Sequence, residues 1–235
     1  MVSDLHSCRH GKNQKKLLEA IYQQKPDLIL LPGDIFDDKK RLDPAEQFLQ
    51  QIAAIAPTYY SFGNHEYRSE KAEYIRQIAL EHSVTVLEDS TCEITMNGIK
   101  LQIAGTADGL KTKYEDPSYQ QSTAMDTAFR GISSGRYNIL LAHRAYLVDL
   151  YQRYPFDLIV SGHAHGGQWR IPGIVNGLFV PTQGFFPKYA GGEYHHGAIT
   201  HIVGRGASNS SIIPRIFNPP ELVVIDVLPV RNTTR

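Results

Sequence analysis

The sequence has few cysteines, no excess of charge and no long apolar run. Its 235 residues include two cysteines and no CxxC motif, which excludes a disulfide framework, a thiol-redox site and a zinc ribbon. The 24 Lys and Arg residues are balanced by 24 Asp and Glu residues, so the basic excess that non-specific nucleic-acid binding needs is absent. No apolar run approaches the ~20 residues that a membrane-spanning helix requires.

The first residues, Met-Val-Ser-Asp, have neither the basic nor the apolar region of a signal peptide. We expect residues 1–3 to be the end of a strand whose first half belongs to an upstream segment, such as a removed signal or a membrane anchor. The sequence as given predicts a cytoplasmic location. It becomes membrane-associated or exported if such a segment has been removed.

The length and the composition, with 42% hydrophobic and 20% charged residues, predict a single domain over residues 1–235. Apolar periodicity predicts alternating helices and strands in the first half, and such alternation is typical of an α/β fold. The predicted helices cover residues 12–24, 43–56 and 70–82, and the predicted strands cover residues 27–31 and 58–62.

The second half contains a hairpin signal, because Asn97-Gly98 separates two strand-like segments over residues 91–96 and 99–105. Residues 108–121 are polar and are predicted to form a surface loop or lid. Further strands are predicted over residues 138–142, 157–160, 198–203 and 221–227. These patterns together predict one α/β domain with two sheets.

Ten histidines are present, and several of them follow predicted strands together with Asp and Asn. Five strands each end in such residues, which are Asp4 and His6, Asp34, Asn64 and His65, His143, and His163 and His165. Asp4 with His6, and His163 with His165, are i, i+2 pairs whose side chains share a direction in extended backbone. Oxygen and imidazole donors without thiolate suit Mn²⁺, Fe or Zn²⁺.

This five-part series resembles the motifs of the calcineurin-like metallophosphoesterase superfamily over residues 3–168. The segments Gly166-Gly167-Gln168, Gly204-Arg205-Gly206 and 214–221 are similar to those of a bacterial, often exported or membrane-anchored phosphodiesterase branch. The resemblance implies an α/β fold, a four-layer αββα sandwich with two mixed β-sheets. It also implies a site for two divalent metal ions (Mn, Fe or Zn).

The resemblance also assigns roles to residues. It implies one metal held by Asp4, His6, Asp34 and His165, and a second held by Asp34, Asn64, His143 and His163, with Asp34 bridging the two. His65 is implied to be a catalytic general acid oriented by Glu66, and Asp34 is the other residue expected to be essential for catalysis.

The implied reaction is hydrolysis of a phosphodiester or pyrophosphate bond by attack of a metal-bound hydroxide. The expected substrate is a small-molecule or lipid-linked phosphoester, the expected state is a monomer, and the neutral net charge disfavours nucleic acid. Two alternatives stay open: a catalytically silent protein-interaction module with this fold, and a nuclease.

Other polar and aromatic residues allow two interpretations each. Asp37 and Asp38 are interpreted as solvated loop acids rather than as supports for the site, and Arg205 and Arg215 as solvated cations rather than substrate contacts. His10 is a weaker candidate for the pocket wall. A role in packing or at the surface is favoured for His195, His196, His201, Phe185, Phe186, Tyr189 and Tyr194.

Overall fold

The computed structural model describes residues 1–209 and 214–228. Helices and parallel strands alternate through its first third, as the apolar pattern predicts. After a 3₁₀ turn at Lys12–Gln14, the elements are α1 (Lys15–Gln23), β1 (Ile29–Pro32), α2 (Asp43–Ile52), β2 (Thr58–Ser61), α3 (Asn64–Arg68), α4 (Ala72–Glu81) and β3 (Val84–Val86).

The rest of the described chain is richer in strands. Its elements are β4 (Ser90–Met96), β5 (Ile99–Gly105), α5 (Lys111–Tyr114), α6 (Gln121–Ala128), β6 (Tyr137–Arg144), α7 (Val148–Tyr151), β7 (Leu158–Gly162), β8 (Phe179–Val180), β9 (Gly184–Phe185), β10 (Gly192–His196) and β11 (Ile199–Val203). None of the helices within residues 1–209 and 214–228 has the length and apolar character needed to cross a bilayer.

Two sheets lie face to face. One has the order β1-β2-β3 and the other has the order β10-β11-β7-β6-β5-β4, while β8 and β9 form a separate ribbon. Leu30 and Tyr59 of the first sheet pack against Ile103, Leu141 and Val160 of the second in one buried apolar cluster. This cluster is the central layer of the core.

Helices cover the outer faces of both sheets. Leu18 of α1 and Phe48 of α2 belong to the same buried cluster as Leu31 of β1, and Met125 of α6 packs in a second cluster with Leu140 of β6. The predicted α/β class and four-layer αββα arrangement are therefore confirmed. The three-stranded sheet is wholly parallel rather than mixed, because each of its connections contains a helix.

The predicted hairpin is confirmed, with β4 and β5 antiparallel. Asn97 (φ 51°) and Gly98 (φ 80°) both adopt the positive φ that a type I′ turn needs. Three expectations differ from the structure. The region 108–121 contains the short helix α5, and neither residues 1–3 nor residues 221–227 form a strand, although the N–H of Val223 donates to the Met1 carbonyl (3.2 Å). The helix α3 was not predicted.

Candidate metal centre

The carboxyl ends of the central strands meet at one edge of the molecule. β1 pairs in parallel with β2, β6 pairs in parallel with β7, and β1 also contacts both β6 and β7 across the two sheets. Residues 1–7 run beside β1, where the N–H groups of Val2 and Asp4 donate to Leu30 and Gly33 (3.0 and 3.1 Å). Polar residues that follow different strands are thereby brought to one place.

Tight backbone turns set the direction of these side chains. Positive φ angles are found at Asp4, His6, Asp34, His163 and His165. Such angles are uncommon outside glycine and tend to cluster at functional sites. Glycine is required beside them, because a Cβ on Gly63 or on Gly162 would lie 2.4 Å from an oxygen of Asp34 or of Asp4, respectively.

One group of donors surrounds His6. Its Nε2 lies 3.0 Å from His165 Nε2 and 3.7 Å from Asp34 Oδ2, and His165 Nε2 lies 3.5 Å from Asp4 Oδ1. All four side chains are largely shielded from solvent. We call this group the His6 cluster.

A second group, the His143 cluster, uses the same carboxylate oxygen. His143 Nε2 lies 3.1 Å from Asp34 Oδ2 and 3.3 Å from His163 Nδ1. The other ring nitrogen of His143 lies 2.8 Å from the Pro32 carbonyl oxygen, which fixes the ring direction. Asn64 lies at the start of α3, and its Oδ1 is buried without a hydrogen-bond partner among the residues described.

These donors fit a divalent cation. Ligand bonds of about 2.0–2.2 Å in tetrahedral geometry place neighbouring donor atoms roughly 3.3–3.6 Å apart, close to the separations in both clusters. A buried amide oxygen without a partner is costly unless something else binds it, and a cation would do so. Six of the seven residues predicted as ligands bring donor atoms together, and Asn64 lies next to His65, whose N–H donates to Asp34 (2.8 Å). The chemistry of the seven matches a hard or borderline metal.

Two histidines and Asp34 have the protonation state that ligation needs, whereas two other histidines do not. Burial and the neighbouring histidine hold the pKa of His163, and that of His165, well below the usual range, so both imidazoles are neutral. Burial alone would raise the pKa of Asp34, but the histidines around it lower that pKa well below its usual value. Neutral imidazole and ionised carboxylate are the forms that bind a metal.

The other two histidines are His143 and His6. Burial alone would lower the pKa of His143, but Asp34 raises it to about 10. Burial alone would also lower the pKa of His6, but Asp37 raises it. A bound metal would therefore displace a proton from each of these two.

His65 stands beside the shared carboxylate. Its Nε2 lies 4.0 Å from Asp34 Oδ2, and its Nδ1 lies 2.5 Å from Asp38 Oδ1. The prediction that Glu66 orients His65 is wrong. The Glu66 carboxylate instead accepts the N–H groups of Asp34, Phe36 and Gly63 (3.0, 3.0 and 2.8 Å) and the Tyr60 hydroxyl (2.5 Å), because it caps the start of α3.

The interpretation of Asp37 and Asp38 as solvated acids is also wrong. Asp37 is buried with Oδ2 3.3 Å from His6 Nδ1, and the Asp38 side chain is 7% exposed. A sequence signal was available: Ile35 and Phe36, which lie between Asp34 and this acid pair, are apolar and fully buried. They fold the loop back so that both acids face the histidines.

Several weaker candidates lie around the two clusters. Arg144 forms a two-pronged ion pair with buried Asp108 (2.5 and 3.0 Å), and Arg205 pairs with Glu221 (2.7 Å). Arg215 Nη2 lies 3.4 Å from His165 Nδ1. His10 contacts the Ala207 carbonyl (2.8 Å). Arg205 is therefore an ion-pair residue, whereas Arg215 approaches the site.

The remaining histidines and aromatics behave mainly as packing or surface residues. Tyr189 and His201 are buried, whereas Phe185 and Phe186 are 69% and 67% exposed. His195 is exposed on β10. The expectation that these side chains pack or lie at the surface is confirmed for those named here.

Comparison with known proteins identifies the family to which the sequence belongs. The family model described as calcineurin-like phosphoesterase matches residues 1–167. The chain is 28% identical over 210 residues to "Phosphodiesterase YaeI" of Escherichia coli, covering 88% of this chain and 72% of that protein. It is 27% identical to "Uncharacterized metallophosphoesterase Cj0846" of Campylobacter jejuni, covering 97% of this chain but only 58% of that protein.

A solved structure supports the same fold. The phosphopantetheinyl hydrolase PptH from Mycobacterium tuberculosis superposes with a TM-score of 0.56 at 14% identity, covering 88% of this chain and 87% of that one. At this identity the likeness concerns the fold alone. With the family model covering most of the sequence, the chain belongs to the calcineurin-like phosphoesterase family, whose chemistry is metal-dependent phosphoester hydrolysis.

Proposed function

We propose that this protein is a phosphohydrolase with a two-metal centre. One cation would be held by the His6 cluster, which consists of Asp4, His6, Asp34 and His165, and the other by the His143 cluster together with Asn64. The observation that carries the proposal is the position of Asp34 Oδ2, which is within 3.7 Å of His6 Nε2 and 3.1 Å of His143 Nε2. A shared carboxylate offsets the repulsion between two neighbouring cations.

Bound divalent cations would activate water and neutralise the phosphoryl oxygens of the substrate. The chain's own contribution is positioning and proton transfer. His65 is 21% exposed at the side chain, and its Nε2 faces Asp34 while its Nδ1 lies beside the Asp38 carboxylate. Burial lowers the pKa of His65, so the ring donates a hydrogen bond to the leaving oxygen when neutral and a proton when charged. Such proton transfer contributes roughly 10²–10⁴-fold.

We further propose that the scissile bond is a phosphodiester or a pyrophosphate in a small molecule, hydrolysed with Mn, Fe or Zn. The similarity to YaeI, whose name describes a phosphodiesterase, supports the diester class. The equal numbers of basic and acidic residues argue against nucleic acid as the substrate, since a nuclease depends on phosphate attraction along its groove.

The test is hydrolysis of bis(4-nitrophenyl) phosphate with added Mn²⁺ and with chelator, combined with metal counting by mass spectrometry. We expect two metal ions per wild-type chain and chelator-sensitive turnover. Asp34→Asn should lose both, His65→Ala should keep the metal and lose rate, and exposed Asp149→Asn is the matched control. Metal binding without turnover of any phosphoester would instead favour a binding module with this fold.

A further inference from the structure

Arg215 is a half-buried cation beside the His6 cluster. Its guanidinium donates to two backbone carbonyls, those of Arg205 (2.8 Å) and Gly206 (3.4 Å), and its Nη2 lies 3.4 Å from His165 Nδ1. Within residues 1–209 and 214–228 no carboxylate oxygen lies within 4.0 Å of it, whereas Arg144 and Arg205 each have one. Burial lowers the pKa of Arg215, although Asp4 acts to raise it.

A guanidinium removed from water without an anionic partner is unfavourable. Two carbonyl oxygens satisfy part of its hydrogen-bonding capacity, and the acids that act on its charge, Asp4 and Glu221, do so without direct contact. Arg215 is neither fully buried nor fully exposed, so part of its surface is open to solvent. An anion arriving from solvent can therefore reach it.

The position of the proton on the His165 ring points the same way, and this step rests on the proposed function. If His165 binds the cation through Nε2, which faces His6 and Asp4, its proton must lie on Nδ1. Nδ1–H and Arg215 Nη2 are then two donors that face each other at 3.4 Å. An acceptor shared by the two donors would satisfy both, and among residues 1–209 and 214–228 no carboxylate oxygen lies within 4.0 Å of Arg215.

We propose that Arg215 and the Nδ1–H of His165 form an anion subsite that binds a second phosphoryl group of the substrate, next to the one being hydrolysed. The metal-facing and Arg215-facing nitrogens belong to one imidazole ring, so the two anionic groups would be neighbours in one molecule. Adjacent phosphoryl groups occur in pyrophosphate esters, and the Arg fork matches their oxygens. The preferred substrate is then a pyrophosphate ester rather than a simple diester.

The backbone that Arg215 contacts at Arg205 and Gly206 is fixed relative to the site. Ala207 and Ser208 donate their N–H groups to the carbonyls of Ser3 and Asp4 (2.8 Å each). Gly206, with φ of 82°, lets the chain pass close, because a Cβ there would lie 2.8 Å from the Asp4 Cβ and 3.2 Å from Arg215 Nη2. The guanidinium is thus pre-positioned. The alternative is a purely structural role, in which Arg215 only holds Arg205 and Gly206 next to Asp4.

The test compares substrates with one and with two phosphoryl groups. Kinetics are measured on bis(4-nitrophenyl) phosphate and on ADP-ribose, and the Kd of non-hydrolysable α,β-methylene-ADP is measured by calorimetry on the metal-loaded protein. Arg215→Gln should raise that Kd and the KM for ADP-ribose about 10- to 100-fold, as expected for a lost charge-assisted contact. The kcat/KM for ADP-ribose should therefore fall at least about tenfold further than the kcat/KM for bis(4-nitrophenyl) phosphate.

Two further variants serve as controls for Arg215→Gln. Arg215→Lys retains the charge and should recover part of the affinity for α,β-methylene-ADP. Arg170→Gln is the matched control, since Arg170 lies on the loop after His165 and its N–H donates to Ile216, next to Arg215. It should change neither Kd nor KM, and thermal melting confirms that each variant is folded.

Three results would overturn the subsite: no measurable binding of α,β-methylene-ADP by the wild type, a Kd unchanged in Arg215→Gln, or equal losses on both substrates, which would indicate a structural role. Wild-type turnover of bis(4-nitrophenyl) phosphate combined with any of these leaves the proposed function intact. Arg215-dependent binding without turnover of either substrate would support the subsite and contradict the proposed function.

Discussion

Asp38 Oδ1 lies 2.5 Å from His65 Nδ1, so the acid in contact with this histidine comes from the loop after β1 and not from the neighbouring position in the sequence. The opposite ring nitrogen faces Asp34 Oδ2 at 4.0 Å. An acid on one ring nitrogen sets which nitrogen carries the proton and where the ring points. Asp38 is therefore placed to control His65.

The pairing predicts that Asp38→Asn lowers kcat by up to the roughly 10²–10⁴-fold expected for removal of a general acid. In a His65→Ala background the same change should have no further effect, because residues that act as a unit are not additive. Steady-state kinetics on the four proteins of this cycle measure the coupling. Additive losses would show that Asp38 acts independently of His65.

Asp37 is expected to act on the metal rather than on proton transfer. Its carboxylate lies 3.3 Å from His6 Nδ1, on the side of the ring opposite the His6 cluster. Burial alone would raise the pKa of Asp37, but contact with His6 and with the N–H of Lys39 lowers it, so Asp37 is ionised. Partners of this kind orient a ligand histidine and raise its basicity.

Asp37→Asn should therefore weaken metal affinity about 10- to 100-fold while the stoichiometry at saturating metal stays the same. The measurement is competition with a chromogenic chelator. Asp38→Asn is the matched control, because its acid contacts His65 and not a proposed ligand. Equal loss of affinity in both variants would argue against separate roles for the two acids.

The sequence predicts which candidate ligands come together better than it predicts which residues surround them. Parallel strands end at a common edge, so Asp34, Asn64 and His143 could be expected to converge from their strand-end positions alone. The contacts of Asp37, Asp38 and Glu66 depend instead on one tight loop. Asp34 has φ of 55°, and two buried apolar residues follow it, which turns the next two acids inward. The spacing of apolar residues along the sequence does not predict such a turn.

The missing strand at residues 221–227 has a related cause. Its apolar residues resemble a strand pattern, yet Val224 and Val227 are 53% and 47% exposed. Two of its backbone N–H groups are bonded, that of Val223 to Met1 and that of Glu221 to Gly206. Strand formation requires a paired neighbour along its whole length, and this depends on tertiary contacts that a local pattern does not contain.

Glu66 is expected to affect stability rather than the proton transfer of His65. It accepts three backbone N–H groups and the Tyr60 hydroxyl, and it is fully buried. Each buried donor left without a partner costs about 1–3 kcal/mol, so Glu66→Ala should lower the free energy of unfolding by about 3 kcal/mol or more. Denaturant titration measures this change.

Glu73→Ala is the control for Glu66→Ala, because Glu73 is on the exposed face of α4 with its side chain 89% accessible. It should change the free energy of unfolding by less than about 1 kcal/mol. A Glu66→Ala variant of unchanged stability, with only kcat reduced, would contradict the capping role and restore the interpretation in which Glu66 serves His65.

His201 predicts a pH dependence of folding stability away from the metal centre. It is fully buried on β11, with Nε2 3.0 Å from Ser161 Oγ. Burial, followed by the neighbouring His196, lowers its pKa to about 3. The unfolded chain binds a proton at this histidine below about pH 6.5 and the native protein does not. The contribution of neutral His201 to the free energy of unfolding is therefore fully present above pH 6.5 and is lost as the pH falls toward 3.

At pH 5 this loss amounts to about 2 kcal/mol relative to neutral pH. A His201→Gln variant lacks the titrating group, so its free energy of unfolding should fall less than that of the wild type between pH 7.5 and pH 5. Urea titrations at the two pH values measure the difference, with exposed His195→Gln as the control for removal of any histidine. Identical pH dependence in wild type and His201→Gln would mean that His201 takes up its proton in the native protein as readily as in the unfolded chain.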